Sequence, residues 1–99
     1  MAGESISETL QRHRAEIALL AQRYGAQNLR VFGSVARGED TGESDVDLLV
    51  EWQDWVILSD WAGLQQDLEN LLGRRVDIVS EKTLHWYIRD KVLAEAKPL

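Results

Sequence analysis

Residues 31–52, VFGSVARGEDTGESDVDLLVEW, decide the reading of this chain. An apolar run ends at Gly33-Ser34, a polar loop follows, and a second apolar run begins through Asp45 and Asp47, two carboxylates one residue apart. Successive side chains on a strand point to opposite faces, so Val46, Leu48 and Val50 fall on one side and Asp45, Asp47 and Leu49 on the other. The core side of the strand is therefore intact. The two acids sit together at the mouth of its other side, where they need a counter-charge.

Outward from this stretch the pattern alternates between helical and extended. SISETLQRHRAEIALLAQRYG predicts one helix, with Ile6, Leu10, Ile17, Leu20, Ala21 and Tyr24 near helical spacing, a Ser5/Glu8 capping box and a stop at Gly25. NLRVFG and DVDLLVEW read as strands. LSDWAGLQQDLENLLG is a second long helix, capped by Ser59 or Asp60 and ended by Gly73. RRVDIVS is a third strand, and LHWYIRDKVLAEA a terminal helix that stops before Pro98. Strands joined by a loop are most simply antiparallel, and one reached through a helix parallel. The expected fold is α+β with two layers: a small mixed sheet with helices on one face. On the third strand Val76 and Ile78 face one way and Asp77 and Val79 the other, which places Asp77 on the same, more open face as Asp45 and Asp47.

Composition narrows the function. A chain of 99 residues fits one domain, 1–99. Its 44% hydrophobic and 28% charged content is that of a soluble globular protein, and no apolar run approaches the roughly 18 residues of a membrane span. MAGESISETL has neither the basic nor the apolar region of a secretory signal, so a cytoplasmic location and no membrane partner are expected. Without cysteine, disulfides and thiolate metal sites are excluded. The net charge of −6 argues against direct binding to a nucleic-acid backbone and favours single nucleotides handled with cations.

Carboxylates at i and i+2 of a strand have Cα atoms about 6.5 to 7 Å apart and can converge on one ion, and a third on a neighbouring strand lies about 5 Å across the sheet. Such hard oxygen ligands, with no His or Cys among them, favour Mg²⁺ or Mn²⁺ and suit two-metal phosphoryl or nucleotidyl transfer. Gly33 lets an anion approach its backbone, and Ser34 adds an N–H and a hydroxyl. A helix starting at SVARG would aim further N–H groups at a phosphate. Each piece has a plainer reading. Ser-Asp-x-Asp can be an Asx turn, Asp77 the exposed residue of a half-buried strand, and Arg37 a surface partner of Glu39 or Asp40 rather than a phosphate clamp. Arg74 and Arg75 are read as offsetting nearby acids, and His13 and His85 as surface or capping residues. Most of Trp52, Trp55, Trp61 and Trp86 are read as core, with at least one of the first three free to anchor a partner.

Taken together, FGSVARGEDTGESDVDLLVEW and LLGRRVDIVSEKTL resemble the minimal nucleotidyltransferase family of the polymerase beta-like superfamily: Gly-Ser, a spacer of this length, Asp-x-Asp, and a later Asp on a strand. The resemblance spans nearly the whole chain. It implies the polymerase beta-like nucleotidyltransferase fold and transfer of AMP from ATP to a hydroxyl with release of pyrophosphate, assisted by two Mg²⁺ ions. Gly33, Ser34 and Arg37 would hold the triphosphate, Asp45 and Asp47 would bind both metals, and Asp77 would be the third ligand and help deprotonate the acceptor. Members of this size are commonly paired with a HEPN toxin, which they neutralise as antitoxin by adding AMP to a tyrosine. Transfer to a small-molecule hydroxyl and a non-catalytic antitoxin that acts by binding are the alternatives.

Overall fold

In the computed structural model, which describes residues 5–99, the leading helical pattern divides in two. Helix α1 (Ile6–Arg12) starts at Ser5, whose hydroxyl accepts the Glu8 N–H at 3.1 Å. It ends where His13 leaves the helical region (φ −99°, ψ 12°) and turns its imidazole to the Glu16 carboxylate at 3.1 Å, and α2 (Arg14–Tyr24) then runs to Gly25. The single helix expected from the periodicity is thus interrupted at His13, whose N–H and carbonyl still bond to Thr9 and Ile17.

Strand β1 (Ala26–Phe32) leads through a short helix, α3 (Gly33–Arg37), and the polar loop to β2 (Val46–Trp52). Helix α4 (Leu58–Leu72) precedes β3 (Val76–Ser80). The expected cap at Ser59 or Asp60 falls instead on Ile57: Asp60 sits at the third helical position and its carboxylate accepts the Ile57 N–H at 3.0 Å. An acid inside the first turn satisfies an end N–H as a capping side chain would, so the helix begins earlier than a search for a polar N-cap suggests. After a 3₁₀ turn at Glu81–Thr83, α5 (Trp86–Glu95) ends before β4 (Lys97–Pro98), a two-residue strand not anticipated in the sequence.

The sheet order is β3-β2-β1-β4, with β1 antiparallel to β2 and β4 and β2 parallel to β3, the mixed sheet that the connections predicted. Val46, Leu48 and Val50 are fully buried and pack with Val31, Val76 and Ile78 against Ile6, Leu10, Ile17, Ala21, Leu64, Leu68 and Leu72. Helices α1, α2 and α4 therefore cover one face. Close approach of α2 to α4 depends on Gly63, where a Cβ would stand 2.6 Å from the Tyr24 ring, and the Tyr24 hydroxyl donates to Asp67 at 2.7 Å.

The other face is not uniformly open. Leu49 points the same way as Asp47, yet it is fully buried and lies outside the main core, as does Val92, the one buried side chain of α5. Arg30, opposite Leu49 on β1, pairs with Glu81 at 2.9 Å, and Arg89 of α5 donates to the Glu81 carbonyl at 2.9 Å. Helix α5 is thereby tied to this side through Glu81, while Asp45 and Asp77 stay exposed and Asp47 half-buried at the strand mouth. Among the described residues no helix is long and apolar enough to cross a membrane.

Candidate active site

Three local structures bring the site together. Parallel pairing of β2 with β3 sets Asp47 directly beside Asp77, as Val46 is set beside Val76 and Leu48 beside Ile78. Antiparallel pairing with β1 places Phe32 opposite Asp47, so the chain turns at Gly33 next to that carboxylate. Gly33 has φ +74°, and a Cβ there would overlap the Asp47 carboxylate. Only glycine meets both demands.

The loop leading to Asp45 is tied down by its own side chains and by Arg74. The Ser44 hydroxyl accepts the Thr41 N–H at 2.8 Å, and Arg74 Nη1 donates to the Ser44 and Gly42 carbonyls at 3.1 and 3.4 Å. Arg74 thus works on the backbone in front of the paired aspartates rather than offsetting acids, the role its position suggested. The Val46 N–H donates to the Arg75 carbonyl at 3.0 Å, which joins the start of β2 to the start of β3.

Asp45 and Asp77 are exposed and Asp47 half-buried. Burial first, and then the charges of Asp77 and Asp45, push the Asp47 carboxyl above its ordinary range; Arg37 opposes this in part and Glu95 adds to it. The backbone therefore assembles the acids against their mutual repulsion. Among the described residues no three His, Cys, Asp or Glu side chains form a ready-made metal cluster. The donor set still suits a hard divalent cation, because Mg²⁺ commonly takes one or two protein carboxylates and completes its shell with water and substrate phosphate.

Ser34 is the second residue of α3 and half-buried. Arg37, at the end of α3, is held by two acids: its Nε donates to Glu39 at 2.7 Å and its Nη1 to Glu95 at 3.1 Å. The Gly33 N–H also donates to Glu95, at 2.9 Å. Glu95 is the residue that sequence reasoning missed. It lies 62 positions from Gly33, in a terminal helix whose pattern carries no spacing signal for it.

None of the three principal hollows is lined by Gly33, Ser34, Asp45, Asp47 or Asp77. The largest, about 540 Å³, lies elsewhere, between α2, β1 and the Trp55 loop. Arg37 lines a hollow of about 290 Å³ with Val31, Val35 and Pro98, while Asp45 and Asp77 lie at the surface. Of the tryptophans, Trp52 and Trp61 pack on the core with ring centroids 5.3 Å apart, whereas Trp55 and Trp86 are exposed.

This arrangement, a Gly-Ser turn pressed against a strand carrying paired aspartates, defines the class: the chain belongs to the nucleotidyltransferase domain family, which residues 15–99 match. It is an enzyme of the nucleotidyltransferase type, with the minimal nucleotidyltransferase fold. Its relatives include the protein adenylyltransferase MntA of Thermococcus cleftensis, 40% identical over 92 residues that cover 93% of this chain and 90% of that protein. A solved structure assigned to the minimal nucleotidyltransferases is 48% identical, covers 100% of both chains and superposes with a TM-score of 0.87. A mutant form of the toxin-antitoxin MntA-HpeT is 26% identical, with a TM-score of 0.70 over 87% of this chain and 70% of that one.

Proposed function

We propose that the protein transfers AMP from ATP to a tyrosine hydroxyl of a cognate HEPN toxin and acts as the antitoxin of that pair. The observation that carries this reading is the pairing of Asp47 with Asp77 across β2 and β3, with the Gly33 turn packed on the same carboxylate. Phosphate-binding backbone and cation-binding acids then share one small patch. Similarity to MntA adenylyltransferase and to the MntA toxin-antitoxin structure supports the choice of AMP and of a toxin as acceptor. So does the exposure of Asp45 and Asp77: a protein acceptor can reach acids at the surface and bring its own wall to the site.

Asp45, Asp47 and Asp77 would hold Mg²⁺, or Mn²⁺ in its place, which when bound neutralises phosphate charge and stabilises the leaving pyrophosphate. Gly33 and Ser34 offer N–H and hydroxyl donors to the triphosphate, and Arg37 adds a guanidinium. The acceptor oxygen attacks the α-phosphorus and a new P–O bond forms. The bond to the β-phosphate oxygen breaks, pyrophosphate leaves, and the hydroxyl proton passes to Asp77, the exposed acid beside Asp47. The test is to incubate the protein with α-labelled ATP, Mg²⁺ and a candidate HEPN toxin from the same genome. Label is expected on a tyrosine of the partner. Neutralisation that persists in an Asp45→Asn/Asp47→Asn double variant, without label, would point to an antitoxin that works by binding.

A further inference from the structure

The Glu95 carboxylate occupies the donors that the nucleotidyltransferase reading gives to phosphate. Its Oε1 accepts the Gly33 N–H at 2.9 Å, and Arg37 Nη1 lies 3.3 and 3.1 Å from its two oxygens. Burial pushes the Glu95 carboxyl up, but the Gly33 amide and the Arg37 guanidinium together hold it below the ordinary carboxylate range. It is thus an anion bound by one backbone amide and one arginine, the partners a phosphate oxygen takes. Its charge also adds to those acting on Asp47, so it sits where a further negative charge is already disfavoured.

We infer that Glu95 is an internal stand-in for nucleotide phosphate, which the triphosphate must displace to reach Gly33 and Arg37. This inference rests on the proposed function and adds a gate to the same site. A purely structural tether would not need to bring a carboxylate close enough to act on the charge of Asp47. The displacement is also local: Glu95 is the last residue of α5, whereas the helix is anchored through the buried Val92 and through Arg89 on the Glu81 carbonyl. The side chain can swing away without unpacking the helix. Because only the displaced fraction of molecules is competent to bind, the apparent affinity for nucleotide is reduced by that fraction.

The test is to titrate wild type and Glu95→Gln with MgATP, checking by thermal melting that both are folded. Glutamine keeps the shape but loses the charge that binds Gly33 and Arg37, and the variant is expected to bind MgATP about 5- to 50-fold more tightly than wild type. Unchanged or weaker binding by a folded variant, with wild type binding normally, overturns the inference and leaves the nucleotidyltransferase reading standing. If neither protein binds MgATP, both fall. In wild type alone, the Glu95 carboxyl carbon and the Gly33 amide should shift together in NMR spectra as MgATP is added. A Glu95 carboxyl signal that stays fixed while the nucleotide saturates would overturn the inference even if the variant failed to fold.

Discussion

The two faces of β2 differ in almost every physical respect although they alternate residue by residue. Val46, Leu48 and Val50 are fully buried against three helices, while Asp45 and Asp47 face outward at the strand mouth and only Leu49, further along, is covered again. One face supplies packing energy, and the other holds like charges together at an electrostatic cost that the first must cover. The lesson is that the site's strain is affordable because the scaffold beneath it is apolar and tightly packed.

The comparison can be broken hardest from the core side. Leu48→Ala removes a fully buried side chain and should cost about 2–5 kcal/mol in denaturant unfolding; a loss below about 1 kcal/mol would mean this face is not the structural one. At the joint between the faces, Gly33→Ala must accommodate a Cβ at φ +74° against the Asp47 carboxylate, with an expected loss of about 1–3 kcal/mol. On the acidic face the sign reverses. Asp47→Asn removes a charge that burial, Asp77 and Asp45 all disfavour, so its melting temperature without divalent cation should equal or exceed that of wild type.

The smallest effect concerns the covered end of the same face. The hydrogen bond from Arg30, and after it one shared with Glu51 and the charges of Arg30 and Arg89, hold the Glu81 carboxyl below its ordinary value of 4.5 although burial opposes them. This ion pair therefore stabilises the fold fully above that value, and the contribution fades as pH falls through the lowered pKa. Glu81→Gln should flatten the acid side of the stability profile and cost about 1 kcal/mol at neutral pH. An unchanged profile would show that the pair does not hold this end of the sheet.

Alternation made β2 legible from sequence, because a strand with one buried face displays its register directly. The same rule brought Asp77 to Asp47, and the Gly-Ser turn and the glycine stops at Gly25 and Gly73 followed from local backbone chemistry. What escaped depended on contacts that no local pattern encodes. The break at His13 and the start of α4 at Ile57 are each marked by a side-chain contact, of His13 with Glu16 at the helix break and of the Ile57 N–H donating to Asp60 at the start of α4. Arg74 and Glu95 reach carbonyls and amides 30 or more residues away. Helix α5 buries only Val92 and leaves Trp86, Tyr87 and Ile88 exposed, so its apolar residues gave no sign of which way it would lie.

The central claim, that the acidic face is a catalytic surface acting on a protein hydroxyl, is tested most directly by label transfer. With α-labelled ATP, Mg²⁺ and a candidate HEPN toxin from the same genome, wild type should label a partner tyrosine, and Asp45→Asn or Asp47→Asn should lower the rate at least roughly 100-fold while remaining folded. Equal labelling by wild type and by a folded Asp45→Asn/Asp47→Asn variant would contradict it.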